Sequence, residues 1–473
     1  MLVKTKSKPK SNFEIIKLIY KIWIALSRKR KRQLIFLLFL VMLSGLSEML
    51  TLASLVPLIA FLTTPESNSG LNLPNSFNLF ELPRFINSPL IVISAFIFLV
   101  IISVLTRLLF RWVNFRLAGA IGADFGTAAF KKILYLPYQS ILNINSSEIV
   151  SITTIFVRQL VVVVNNILLL ISSLVITLGL IFTLLIIDWK TTLIGSFILI
   201  NSYIIISLLN KNTVFSNSIS MIQLESKQVK IVQESIGGIR DIILNSNQSF
   251  PIKEYYKSSI NASRVKQDNN FYSVFPRIVI EGIVLVGVAI YLYFISSDQS
   301  KFLNAIPLIA TIALAIQKIL PSLQQTYSSY TNITGAFGPV DSVLRIINKP
   351  NEESINLNFI KRRTDKKFIF KDLKIKNCTF KFKDNLPTVL KIPCMEFKAG
   401  EKIGIIGSSG SGKSTLVDLI SGLIKPVSGE ILVNGIDINS EDLLKQKLIW
   451  QNSLSVVSQN IFINDDSIKK NIA

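Results

Sequence analysis

Long apolar runs are the feature that most limits what this chain can fold into. At about 1.5 Å per helical residue, a run of roughly 20 residues crosses the ~30 Å hydrocarbon core of a bilayer. Charged residues make up only 17% of the 473 positions, against about 25% in soluble domains. The sequence therefore predicts an all-α polytopic membrane domain with six transmembrane helices. The six runs are 33–63, 89–104, 160–187, 191–209, 274–295 and 302–320.

The distribution of charge predicts the orientation of these spans. Residues 1–32 contain eleven Lys or Arg and one acidic residue, and the loop 210–273 contains eight Lys or Arg. The expected outer segments 64–88, 188–190 and 296–301 contain one each. Because cytoplasmic loops are rich in Lys and Arg, both termini are expected in the cytoplasm. The net charge of +22 is then explained by topology, and no nucleic-acid partner is expected.

Several segments outside the spans have their own patterns. The apolar spacing within 1–32 favours an amphipathic helix on the membrane surface over a plain cytosolic helix. The inner loops 118–159 and 210–273 are expected to extend the membrane helices into the cytoplasm. The apolar outer loop 64–88 lies either on the outer leaflet or against its own protein. The chain has no His, which excludes His-based catalysis, and Cys378 and Cys394 are expected to be buried thiols.

A soluble domain follows the spans. We assign 1–32 to a basic cytoplasmic segment, 33–345 to the membrane domain, 346–367 to a polar linker and 368–473 to the second domain. In that domain, residues 407–415 form a G-x-x-x-x-G-K-[ST] motif between an expected buried strand, 402–406, and an expected helix. A flexible Gly-Ser loop is the alternative reading.

The motif predicts a phosphate-binding loop of a P-loop NTPase domain. Glycines let backbone N–H groups surround phosphate oxygens, and the helix N-terminus adds its positive dipole end. Lys413 would reach the β- and γ-phosphates of ATP, and the Ser414 hydroxyl would ligate Mg²⁺. The expected nucleotide-contacting residues of the loop are Gly407, Ser408, Ser409, Gly410, Ser411, Gly412, Lys413, Ser414 and Thr415.

Six spans followed by this domain resemble an ABC exporter half-transporter. Residues 378–382, 426–438 and 456–462 are similar to that family's A-loop strand, Ser-Gly-Glu strand pair and Q-loop. The resemblance implies that Phe382 stacks on adenine and that Gln459 contacts Mg²⁺ and the γ-phosphate. It also implies a dimer, most simply a homodimer, and short inner-loop helices around 135–147 and 231–247 that dock on the nucleotide-binding domains.

The family's signature loop, Walker B acids, D-loop and switch histidine would follow Ala473. We therefore expect this sequence to be a C-terminally truncated form whose complete version hydrolyses ATP, while the chain as given does not. A non-catalytic subunit that relies on a complete partner is the alternative.

Charged residues in the spans suggest the substrate. Arg107 and Arg111 lie four apart in the second span, as do Arg277 and Glu281 in the fifth. A cationic cavity for an anionic head group is one interpretation; snorkelling arginines and an intrahelical salt bridge are the others. Segments 47–52, 64–88 and 275–282 resemble bacterial flippases of lipid-linked oligosaccharides, which implies an amphipathic diphosphate-lipid substrate and the inner membrane. Another lipid, a peptide or a drug remains an alternative substrate.

Overall fold

The computed structural model describes residues 11–54, 58, 89–142, 144–187, 189–296, 299–348, 368–383, 385–440, 444–457 and 463–472. The chain divides into two compact units. The first comprises Met1–Lys132 and Ser146–Lys349, and the second comprises Ile133–Asn145 and Pro350–Ala473.

Helices account for the described residues up to 348, apart from short connections. A π-helical stretch, Ile152–Phe156, leads from α5 into α6. The Ser27 hydroxyl caps α2 by accepting a hydrogen bond from the Arg30 N–H. The helices are α1 Ser11–Ala25, α2 Arg28–Ala53, α3 Pro89–Leu134, α4 Tyr138–Leu142, α5 Ser146–Ser151, α6 Val157–Ile187, α7 Trp189–Gly237, α8 Ile239–Leu244, α9 Ser249–Ser296, α10 Gln299–Gly335 and α11 Phe337–Ile347.

Among the described residues, five helical segments are long and apolar enough to cross a membrane. The sixth predicted span, 302–320, lies in α10, but its side chains up to 316 are outside the described part. Helices α3, α7 and α9 contain 46, 49 and 48 residues, roughly 70 Å each, which is about twice the length needed to cross a bilayer. The five segments are Arg28–Ala53, Leu90–Leu134, Ser146–Ile186, Thr192–Gly237 and Ser249–Gly287.

Small residues allow α2 and α6 to pack closely. A Cβ added to Gly45 would lie 2.7 Å from Val175 Cγ1, and one added to Gly179 would lie 2.7 Å from Met49. Close packing at small residues is a common way for helices to associate in membranes, where lipid removes the hydrophobic driving force between them. These two glycines therefore fix the distance between α2 and α6.

Buried hydroxyl groups join α6 to α10. Thr177 Oγ1 donates a hydrogen bond to Ser322 Oγ at 2.8 Å, and Ser322 Oγ donates to the Ser173 carbonyl at 3.0 Å. Thr326 Oγ1 donates to Ser173 Oγ at 2.9 Å. Interhelical hydrogen bonds of this kind stabilise membrane bundles by about 1 kcal/mol each. These bonds place polar atoms in the buried interface between α6 and α10.

Helix α1 has two apolar faces. Leu18 and Ile22 are buried, whereas Ile16 and Tyr20 remain more than 60% exposed. At the buried face, Lys21 Nζ lies 3.0 Å from a carboxylate oxygen of Asp341 in α11. An outward apolar face beside basic residues is typical of a helix on a membrane surface, so the interfacial prediction is retained.

The second unit contains a four-stranded antiparallel sheet in the order β2-β1-β3-β4. Gly429 has φ +92°, and a Cβ there would overlap the Asn377 carbonyl, where β1 and β3 pair irregularly. Only glycine fits this position. The elements are β1 Asp372–Phe380, β2 Leu390–Lys398, α12 Lys413–Ile420, β3 Ser428–Val433, β4 Ile436–Asp437, α13 Leu444–Ser453 and α14 Ile468–Ile472.

Helix α12 packs on this sheet. Leu416 and Leu419 belong to one buried cluster with side chains of β1 and β3. Trp450 of α13 joins the cluster, and its Nε1–H donates to the Ile420 carbonyl at 2.7 Å. That bond satisfies one of the carbonyls that the last turn of α12 leaves without a helical partner.

Two predictions about this unit are wrong. Residues 402–406 form no strand with any described residue, and Ile406 is 98% exposed. A strand needs a neighbour for its backbone hydrogen bonds, and an apolar run does not reveal whether a neighbour exists. Cys378 is buried as predicted, but Cys394, on the edge strand β2, is exposed.

Candidate functional site

The predicted phosphate-binding loop leads directly into α12. Gly410 and Gly412 have φ of +82° and +92°, a left-handed conformation that residues with a Cβ adopt at a cost. Gly412 is the N-cap of α12, and its carbonyl accepts the Leu416 N–H at 2.9 Å. The glycines thus let the chain turn directly into the N-terminus of α12, an arrangement suited to anion binding.

An added Cβ would overlap a neighbouring side chain at two glycines of the loop. A Cβ on Gly412 would lie 2.7 Å from Leu390 Cδ2, and one on Gly407 would lie 2.7 Å from Ser411 Oγ. Such a backbone-lined cradle fits a phosphate group, which is bound by N–H donors rather than by bulky side chains.

Lys413 and the two residues after it have distinct environments. The Lys413 ammonium donates to the Gly407 and Ser408 carbonyls, both at 2.8 Å, which holds the charge over the loop. Ser414 is exposed, whereas Thr415 is buried. Ser414 is therefore the hydroxyl available to a metal ion bound with nucleotide, and Thr415 is part of the packing of α12.

The structure brings Phe382 to the same end of the β1–β2 hairpin as the loop. Phe382 lies two residues beyond the end of β1, is 41% exposed, and packs edge-on against buried Phe380 with ring centroids 5.0 Å apart. Phe380 pairs with Leu390 across the hairpin, and Leu390 is the residue that approaches Gly412. Gln459, the predicted Q-loop residue, lies outside the described residues.

Burial perturbs two titratable groups in this unit. It raises the pKa of Asp418, which lies on α12, and it raises the pKa of the Cys378 thiol in the core. Both shifts follow from the free energy needed to remove a charge from water. Cys378 is thus kept in its neutral, unreactive form.

A second candidate site lies in the helical unit, between α2, α3, α6 and α10. It is a cavity of about 350 Å³, lined by Glu48, Arg107, Arg111 and Lys318 together with serine and glutamine side chains. Arg107 Nη1 lies 3.0 Å from Glu48 Oε1, and Lys318 Nζ donates to Thr51 Oγ1 at 3.1 Å. Three cations therefore share one carboxylate, and the lining carries an excess of about two positive charges.

The predicted substrate residues separate into two groups. Arg107 and Arg111 both line the cavity, as the cavity interpretation expects. Arg277 and Glu281 do not line it; they lie 3.9 Å apart on α9 with both side chains about half exposed. That distance agrees with the alternative interpretation of an intrahelical salt bridge.

Sequence reasoning missed Lys318. A lysine inside a predicted span is itself a signal, because charges at membrane depth usually face a cavity or a partner. It also missed the pairing of Glu48 with Arg107, which joins helices through residues 59 positions apart.

Two family models match the sequence. The model described as ABC transporter transmembrane region matches residues 34–319, more than half of the chain, and the model described as ABC transporter matches residues 390–471. The two matches cover the helical segment and the P-loop segment respectively.

Curated relatives cover part of the chain. The heterocyst differentiation ATP-binding protein HepA of Nostoc sp. is 26% identical over 295 residues, which are 61% of this chain and 45% of HepA. The leukotoxin translocation ATP-binding protein LktB of Mannheimia glucosida is 39% identical over 103 residues, 22% of this chain and 14% of LktB. The chain therefore matches less than half the length of these relatives.

A solved structure of a bacterial Atm1-family ABC exporter with ATP bound has the same fold. The TM-score is 0.66 at 14% sequence identity, with 88% of this chain and 70% of that chain covered. This likeness confirms the predicted fold class, a helical membrane domain followed by an α/β nucleotide-binding domain.

Proposed function

The chain belongs to the ABC transporter family, and on that premise we propose that it is one half of an ATP-driven exporter that moves an anionic lipid-linked substrate. The observation that carries the proposal is a glycine-lined cradle in the same chain as the five membrane-length helices found among the described residues. Neither feature alone distinguishes a transporter from a soluble ATPase or an unpowered channel. Together they supply a nucleotide site and a membrane path.

The residues of the cradle suit a nucleotide with Mg²⁺. Lys413 would neutralise the β- and γ-phosphates, Ser414 would ligate the metal, and Phe382 would stack on the adenine; Gln459 remains a prediction from sequence. In this family, ATP hydrolysis supplies the free energy for transport. This chain's own part is to bind and orient the phosphates through the loop and α12.

The organisation of the chain suggests how the two sites are coupled. We assign 33–345 to the membrane domain and 368–473 to the nucleotide-binding domain, joined by a linker at 346–367. The grouping of Ile133–Asn145 with the second unit supports a docking role for the first inner loop. The protein would act as a dimer in the bacterial inner membrane with both termini in the cytoplasm, as the basic residues of 1–32 indicate.

The cavity is the proposed substrate site. Its excess of positive charge favours a phosphate or diphosphate head group, and neutral drugs would gain nothing from it. Glu48 is 7% exposed, and its Oε2 atom has no hydrogen-bond partner among the described residues. This buried carboxylate holds the Arg107 guanidinium in position at the cavity before substrate enters.

Nucleotide binding is tested by photolabelling the full chain in detergent with azido-ATP and Mg²⁺. Lys413→Ala should lose most of the labelling, because the phosphates lose their charge partner. Lys402→Ala, which removes an exposed lysine from the same unit, is the matched control. Equal labelling of the two variants would contradict the nucleotide site.

Substrate is tested in proteoliposomes with a form of the protein that carries the family's signature loop and Walker B acids, by ATP-dependent translocation of a fluorescent polyprenyl-diphosphate oligosaccharide. Arg111→Gln and Lys318→Gln should each reduce translocation at least fivefold, while Arg277→Gln, outside the cavity, should reduce it less. A diphosphate-free analogue and a fluorescent peptide are the competing substrates. Faster transport of either one would favour the alternative of an exporter for another lipid or for a peptide.

A further inference from the structure

A groove on the outer surface of α2 and α3 combines arginines with exposed aromatic side chains. Its volume is about 520 Å³, and it is separate from the cavity that contains Arg107. The residues that matter here are Arg30, Arg32, Phe36, Trp112 and Arg116. From this arrangement we infer that the groove binds the head group of an anionic phospholipid of the surrounding bilayer.

Charge is the first argument. Arg30 is bound to Asp124, with Nε–Oδ2 and Nη2–Oδ1 distances of 2.7 and 3.2 Å. No carboxylate among the described residues pairs with Arg32 or Arg116. The groove therefore carries about two uncompensated positive charges, which a phosphate group would neutralise.

The order of residues along the two helices is the second argument. On α2, Arg32 is followed by Phe36, Phe39 and Leu43 at spacings of four, three and four, and all three apolar side chains are at least 40% exposed. Residues so spaced share one face of a helix. The apolar stripe thus begins at the arginine and runs toward the middle of the helix.

Helix α3 repeats this order in the opposite chain direction. Counting back from Arg116, Trp112, Leu109 and Leu105 follow at spacings of four, three and four, and each is more than 45% exposed. Both stripes therefore place an arginine at the same end and apolar side chains toward the other. A phospholipid has this shape, with a phosphate at one end and acyl chains behind it.

Trp112 sets the depth of the site. Arg116 lies over its ring, with the guanidinium carbon 4.9 Å from the centroid, and the ring is 57% exposed. Tryptophan is enriched at the level of lipid head groups. This depth commits the site to a membrane lipid rather than to a free phosphate ion, which would gain nothing from the apolar stripes.

The test measures lipid retention by the full chain in detergent, using native mass spectrometry. The chain is incubated with an equal mixture of phosphatidylglycerol and phosphatidylcholine. One basic side chain contributes about fivefold to the affinity of an anionic lipid. In the Arg32→Gln/Arg116→Gln variant, the ratio of retained phosphatidylglycerol to retained phosphatidylcholine should therefore fall at least fivefold.

The matched control is Arg28→Gln/Lys131→Gln, which removes two exposed basic residues from the same helices outside the groove. It should retain the preference for phosphatidylglycerol. An equal loss of this preference in the groove variant and the control variant would show a general effect of charge, and it would overturn the proposed lipid site. Circular dichroism of each variant reports whether the protein remains folded.

A second measurement distinguishes lipid from free phosphate. Phosphatidylglycerol with brominated acyl chains should quench the fluorescence component that Trp112→Phe removes, because the acyl chains would lie against that ring. Inorganic phosphate at millimolar concentration should not compete. Competition by phosphate, or no quenching of Trp112, would overturn the assignment to a lipid.

Discussion

The left-handed glycines of the phosphate-binding loop permit a graded test of the proposed cradle. Gly412 combines φ +92° with a Cβ position 2.7 Å from Leu390 Cδ2, whereas Gly410 has φ +82° and no described atom within 4 Å of its Cβ position. Gly404 has neither restriction. Alanine at these three positions therefore separates the effect of backbone conformation from the effect of steric overlap.

The magnitudes follow from these two effects. A left-handed conformation costs a residue with a Cβ about 1–2 kcal/mol, and overpacking adds about 1–3 kcal/mol. If the left-handed loop is the state that binds phosphate, Gly410→Ala should weaken ATP binding about 5- to 30-fold. Gly412→Ala should weaken it about 30-fold to several thousand-fold, and Gly404→Ala should change it by no more than about twofold.

The assay is a titration of a fluorescent ATP analogue against the full chain in detergent, followed by anisotropy. Circular dichroism establishes that each variant is folded. In a Gly412→Ala background, Leu390→Ala should restore affinity to the level of Gly410→Ala, because it removes only the steric part. Equal affinities for the Gly412→Ala and Gly404→Ala variants would refute the claim that loop conformation governs binding.

Three further predictions concern stability. Arg107→Ala should lower the melting temperature in detergent more than Glu48→Gln does, because it leaves a buried carboxylate without its partner, and the double variant should recover part of the loss. Trp450→Phe should destabilise the second unit by about 1 kcal/mol in chemical denaturation through loss of the bond to the Ile420 carbonyl. Burial raises the pKa of the Asp418 carboxyl above its value in the unfolded chain, so the folded state keeps this proton to higher pH. Stability should therefore fall as the pH rises from the unfolded pKa through the folded pKa. The melting temperature of Asp418→Asn, measured over the same pH range, should not show that fall.

The parts of this protein that sequence could predict are those fixed by local chemistry. The phosphate-binding loop needs glycine and lysine at set spacings, so Gly412 and Lys413 are found where the motif places them. The long helices follow from apolar length alone, and Pro89 begins α3 where its run begins.

The parts that sequence could not predict depend on partners distant in the chain. Whether 402–406 pairs as a strand depends on which other segments lie beside it, and the exposure of Cys394 depends on which segments pack against its side of β2. The Glu48–Arg107 pair and the proximity of Lys318 depend on how α2, α3 and α10 are rotated about their axes. An apolar run fixes the length of a helix, but it does not fix that rotation.

The angular positions of the arginines around the axis of α3 also explain how one helix can contribute to two cationic sites. At about 100° per residue, Arg107 and Arg111 lie about 40° apart, whereas Arg116 lies about 180° from Arg107. The first two line the inner cavity, and the third lines the outer groove. The arginines of this helix are therefore not one stripe of membrane anchors. Substitutions at 107 and 111 should reduce transport and leave lipid retention unchanged. A substitution at 116 should reduce lipid retention and leave transport unchanged.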